Sequence, residues 1–91
     1  MPTTLHKLNS KQNKTLEAIF KNPVPVSIVW TEVERLLQAL GGQIQLGGGS
    51  RVSVLLNNTV ATFHKPHPRK ETDKGAVVAV RKFLKNAGIQ P

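Results

Sequence analysis

GGGSRVSVLLNNTVATFHKPHP, residues 47–68, carries the strongest structural signal in this chain. Residues 51–56 and 59–64 read as two strands joined by Asn57-Asn58. Asparagine tolerates a positive φ, so this pair suits a two-residue hairpin turn. That turn fixes a register. Leu56 then opposes Thr59, Val54 opposes Ala61 and Val52 opposes Phe63 on a side apolar enough for a core. Leu55 with Val60, Ser53 with Thr62 and Arg51 with His64 take the other side, setting a guanidinium beside an imidazole at the solvent end. A slip of one residue would exchange the two faces.

Upstream of the hairpin, residues 47–49 are the one glycine-rich segment. No Gly-Lys-Ser/Thr follows, the GxGxxG spacing is absent and a strand comes next, so a turn between strands is the expected structure rather than a nucleotide loop. Such a turn still exposes main-chain amides to phosphate. Residues 43–46 alternate polar and apolar, as a short half-buried strand does. Before them, Thr31 and Glu34 have capping-box spacing, and Val33, Leu36, Leu37 and Leu40 recur at helical intervals until Gly41-Gly42 stops the helix. Pro23 and Pro25 make an extended connector to Trp30. Ser10 is placed to cap an earlier helix running to about residue 21, with Leu16, Ile19 and Phe20 as its apolar stripe. Residues 1–9 read as a lead-in.

Downstream, residues 64–70 (HKPHPRK) are too rich in proline for regular structure and form a constrained cationic loop. Thr72 or Asp73 can cap a last helix over about 75–86, with Val77, Val80 and Leu84 inward and Val78 and Phe83 flanking. Arg81, Lys82 and Lys85 are expected outward; Gly88 ends the helix and Ile89 folds back. The order is helix, helix, strand, strand, strand, helix. An α+β domain follows, with a three-stranded antiparallel sheet covered by helices on one face. This α-β-β-β-α plan is that of double-stranded-RNA-binding domains, with an extra N-terminal helix; the likeness is one of fold alone. The whole chain, 1–91, reads as one domain: helix and connector over 1–28, core over 29–90.

Thirteen Lys/Arg against five Asp/Glu give a net charge of +8 in 91 residues. The second half holds most of it: eight basic and two acidic residues over 46–91, five and three over 1–45. A field of that size favours a polyanion. The alternatives are a solvated basic surface or an acidic protein partner. No apolar run nears the roughly 20 residues that span a bilayer, and the N-terminus lacks an apolar signal core, so a soluble cytoplasmic protein is the expectation. The chain has no cysteine, which removes disulfide and thiolate chemistry and argues against structural zinc.

Among chemistries, a serine–histidine–acid triad lacks an oriented carboxylate, since Glu71 and Asp73 look like helix-start residues. Metal binding by His6, His64 and His67 is disfavoured by the surrounding cations and the missing carboxylate. No cofactor is implied. RNA self-cleavage asks for less: a base and an acid for proton transfer, and a cation for the phosphorane. Histidine transfers protons near neutral pH and arginine holds two phosphate oxygens at once. Arg51 opposite His64, with His67 and Lys65 nearby, forms such a group without metal. The plainer reading is that His64 ends a strand, His67 sits in a proline turn and Arg51 binds phosphate.

LQALG (37–41), GSR (49–51), the hairpin, HKPHP (64–68) and the final helix resemble HicA-type toxins over about residues 29–90. The resemblance implies a double-stranded-RNA-binding-like fold, ribosome-independent messenger-RNA cleavage as a metal-independent endoribonuclease, and neutralisation by a HicB-type antitoxin covering the active face. Members of that family typically read Gly-Ser-His at the hairpin start, and that histidine is catalytic; this chain has Arg51 there. Arginine stays charged and cannot shuttle protons. So His64 or His67 substitutes, or the protein binds RNA without cutting it, or the mechanism tolerates the change. On this reading Arg51, His64 and His67 are the catalytic candidates. Gly48, Gly49, Ser50, Arg51, Lys65, Arg69 and Lys70 are the RNA-binding ones. A non-catalytic RNA-binding domain and a basic adaptor for an acidic protein are the alternatives.

Overall fold

The structure, a computed structural model, describes residues 8–91; most of the expected lead-in, and His6 with it, lies outside the described residues. The elements are α1 (Ser10–Ile19), α2 (Trp30–Ala39), β1 (Gln43–Leu46), β2 (Arg51–Leu56), β3 (Thr59–His64) and α3 (Lys74–Asn86). The strands form one antiparallel sheet in the order β1-β2-β3. The α+β architecture and the element order are those the sequence predicts.

The hairpin follows from its turn. Asn57 and Asn58 have φ of 50° and 63°, and every β2–β3 pair is the one the two-residue loop dictates. Val52, Val54, Leu56 and Phe63 are buried on one face, while Leu55 and Val60 are exposed on the other. Asn57 Nδ2 also donates to the Ala87 carbonyl at 2.9 Å, tying the turn to the end of α3. Beneath the hairpin, Phe63 packs between Trp30 and Phe83, with ring centroids 6.0 and 5.7 Å away. This aromatic chain joins α2, β3 and α3 in tilted and edge-on contacts of the favourable kind.

Both α2 and α3 end as glycine demands. In α2, the Gly41 N–H donates to Gln38 O at 3.0 Å and the Gly42 N–H to Leu37 O at 2.8 Å, with Gly41 at φ 96°. A Cβ on Gly42 would lie 2.7 Å from the Leu37 oxygen, so a side chain cannot be added without moving backbone. In α3 the same bonding pattern at Gly88 turns the chain so that Ile89 is buried, as expected.

Several local expectations are corrected, and the choice between Thr72 and Asp73 as the cap of α3 is resolved. The cap of α1 is Asn9, not Ser10: its side chain accepts from the Gln12 N–H at 2.8 Å and Gln12 Oε1 accepts from the Asn9 N–H at 3.0 Å. Thr31 caps nothing, because α2 already starts at Trp30, and Glu34 instead accepts from the Trp30 indole Nε1 at 2.6 Å. The cause is a tertiary pairing. Val29 bridges Glu71 antiparallel, and the Trp30 N–H donates to Lys70 O at 2.9 Å. Asp73 rather than Thr72 caps α3, accepting from the Ala76 N–H, while Thr72 is fully buried. Arg81 is not outward. Its Nε donates to Ile19 O at 2.7 Å and its Nη2 to Lys21 O at 2.8 Å, clasping the end of α1. β1 is also less buried than its alternation suggests: Ile44 packs against the core, but Leu46, last in an edge strand, is 75% exposed.

The helices all lie on the face carrying Val52, Val54 and Leu56. The opposite face stays open. It presents Gln43 and Gln45 from β1, Arg51, Ser53 and Leu55 from β2, and Val60, Thr62 and His64 from β3. No helix among the described residues is long and apolar enough to cross a membrane.

Candidate nucleic-acid interface

At one end of the open face, β1 turns into β2 through residues 47–50, closed by the Gly47 N–H donating to Arg51 O at 2.8 Å. Gly49 has φ 67°, the left-handed region that glycine enters without strain, which explains a glycine there. Among the described residues, the N–H groups of Gly48, Gly49 and Ser50 have no hydrogen-bond acceptor. The Arg51 side chain lies along this turn: a Cβ on Gly47 would be 3.8 Å from its Nε, and one on Gly48 3.9 Å from its Nη2. Free amides and a guanidinium therefore lie side by side at this turn, groups of the kind that hold an anion.

His64 is the cross-strand partner of Arg51. Counting from the turn, this pair falls in the non-hydrogen-bonded class, where side chains approach closest. Both residues are exposed on the same face. Ser53 and Thr62 are the next pair along it, their hydroxyls 3.2 Å apart.

Beyond His64 the ladder continues for one bond, from the Lys65 N–H to Ser50 O at 2.7 Å. The loop then runs through Pro66, His67, Pro68 and Arg69 to Lys70, whose carbonyl is taken by Trp30. Both ends of the cationic loop are thus fastened, one to the glycine turn and one to the start of α2. Lys65, His67, Arg69 and Lys70 are all exposed. Among the described residues, none of the side chains of Arg51, His64, Lys65, His67, Arg69 and Lys70 has a hydrogen-bond or ion-pair partner. Arg81 and Arg35, by contrast, are bonded within the fold. The charge around β3 is therefore uncommitted within the fold, unlike that of Arg81 and Arg35.

The structure brings Arg51, His64, the 47–50 turn and the root of Lys65 together. His67 lies within the exposed loop, and no hydrogen bond among the described residues joins it to Arg51 or His64. No carboxylate bonds either histidine, and no cluster of metal-ligating side chains occurs among the described residues. Sequence reading missed Val29, Trp30 and Thr31 as neighbours of the cationic loop, because only the pairing of residues 28–30 with 70–72 brings them there. Local pattern carries no signal for such a contact.

The family model described as the HicA toxin of bacterial toxin–antitoxin systems matches residues 30–89. No curated protein and no solved structure matches the chain.

Proposed function

Since the chain belongs to the HicA toxin family, we propose that it is the toxin of a toxin–antitoxin pair that binds messenger RNA and cleaves it. The carrying observation is that His64 sits directly across the strands from Arg51. The family's imidazole is missing from position 51, yet an imidazole is offered at the paired position on the neighbouring strand. The site keeps a proton-transfer group and gains a fixed positive charge beside it.

In this reading the ribose 2′-oxygen attacks the adjacent phosphorus, and His64 takes the 2′-hydroxyl proton. Arg51 and the free amides of Gly48, Gly49 and Ser50 hold the non-bridging oxygens, whose charge grows in the phosphorane. The leaving 5′-oxygen needs a proton, and His67 is the candidate donor. The products are a 2′,3′-cyclic phosphate and a free 5′-hydroxyl, so no water or metal enters the bond-breaking step. Lys65, Arg69 and Lys70 position the strand. A HicB-like antitoxin would cover the same face, where Leu55 and Val60 offer apolar anchors at 42% and 68% exposure beside the cations. The action belongs to the cytoplasm, where messenger RNA is met.

The test is incubation of the purified chain with RNA in excess chelator. Cleavage leaving cyclic phosphate ends, and lost in His64→Ala, supports the reading. Salt-sensitive retention with no product at any protein concentration would instead mean an RNA-binding domain without catalysis.

A further inference from the structure

Successive residues of a strand point to opposite faces, so at the end of β3 His64 takes the open face and Lys65 the other. There, between the cationic loop and the start of α2, lies a cleft of about 210 Å³. Apolar surface from Val29, Pro66 and Pro68 lines it, with the buried Trp30 beside them. Its remaining lining comes from Thr31 and the cations Lys65, Arg69 and Lys70. The cleft is held open by the two tethers already described, Lys65 N–H to Ser50 O and Trp30 N–H to Lys70 O.

We infer that this cleft receives one unpaired base of the bound RNA, a subsite separate from the Arg51–His64 pair. The inference rests on RNA being the ligand. An inorganic anion would have no use for the valine and proline surface. An apolar side chain of a protein partner would not need three unpartnered cations. A nucleobase needs both, because its flat apolar faces are flanked by phosphates. The volume lies below the roughly 300 Å³ at which drug-sized ligand sites begin, which suits a single planar group. The Thr31 hydroxyl, released from capping and exposed, has no partner among the described residues and is free to meet a polar edge of the base.

A specific consequence follows for the substrate. A base enters the cleft only if it is not stacked in a helix, so the protein selects single-stranded or looped RNA. The fold's likeness to duplex-binding domains would suggest the opposite.

Trp30 is the sole tryptophan and, though buried, is among the residues lining the cleft, so its emission is the readout of occupancy. The full chain is titrated with a short 2′-O-methyl RNA, which resists cleavage, with the same strand carrying abasic residues, and with its duplex. The intact single strand is expected to shift Trp30 emission and to bind about five- to tenfold more tightly than the abasic strand or the duplex. Thr31→Phe, which fills the mouth from an exposed position, should reduce affinity to the abasic level without changing the salt slope. Thr31→Val should give a smaller loss. Equal affinity for intact and abasic strands with unmoved emission overturns the base subsite while the RNA reading stands. Absence of RNA binding, or an emission change with poly-glutamate and none with RNA, overturns both.

Discussion

Arg51 on β2 and His64 on β3 are direct cross-strand partners, exposed on the sheet face that the helices leave uncovered. Neither side chain is engaged elsewhere among the described residues, so both are available to one phosphodiester. This pairing makes position 64 the natural place for an imidazole that position 51 lacks.

His64→Ala is expected to lower single-turnover RNA cleavage by about 10²- to 10⁴-fold, the usual worth of a general base, with little change in affinity. Arg51→His placed in that background should restore part of the rate, since the two positions face each other. A double variant that binds RNA normally yet stays at the His64→Ala rate would show that the paired positions are not interchangeable.

Binding should weaken with salt, and each backbone contact removed should flatten the dependence. Lys65→Ala, Arg69→Ala and Lys70→Ala are each expected to reduce the slope of log K against log salt by about one. Arg35→Ala should leave it unchanged, because Arg35 already bonds Glu32 at 3.3 Å on α2. Filter-binding titrations over a range of salt decide this.

Arg81→Ala should destabilise the fold by about 1–3 kcal/mol, since it leaves two main-chain carbonyls at the end of α1 without their donors. Arg81→Lys is expected to recover little. An ammonium cannot reach Ile19 O, Lys21 O and Asn22 Oδ1 together as the guanidinium fork does. Urea unfolding measures the difference; a wild-type midpoint for Arg81→Ala would mean the clasp contributes nothing.

At the hairpin turn, Asn58→Gly is expected to be neutral or mildly stabilising, and Asn58→Ala to cost about 1 kcal/mol. The cause is the φ of 63° at this position, which alanine adopts poorly. Cleavage per folded molecule should be unaffected, because the register is also held by Val52, Val54, Leu56 and Phe63 in the core.

The hairpin was legible because two local signals agree there: a turn pair that tolerates positive φ, and an alternation that gives one face to the core. The opposition of Arg51 and His64 followed from that register alone. The helices were legible from their stripes, and the ends of α2 and α3 from their glycines, but the starts of α1 and α2 were not. The first residue of α2 is set by the bond from Trp30 to Lys70, 40 positions away, which displaced the Thr31–Glu34 box that local spacing suggests. Arg81 misleads for the same reason. A basic residue beside Lys82 looks solvated until the end of α1 is packed against it.

Alternation, turn chemistry and charge count are properties of neighbouring residues, and what depends on them was readable from residue order: the element order, the sheet face that bears Arg51 and His64, and the cationic loop after β3. Contacts between segments far apart in the chain emerged only with the packed fold. These are the Arg81 clasp on α1, the bridge from Val29 to Glu71, and the cleft between the cationic loop and Thr31. Such contacts depend on which unsatisfied backbone groups meet once the core has closed, and no local pattern encodes that meeting.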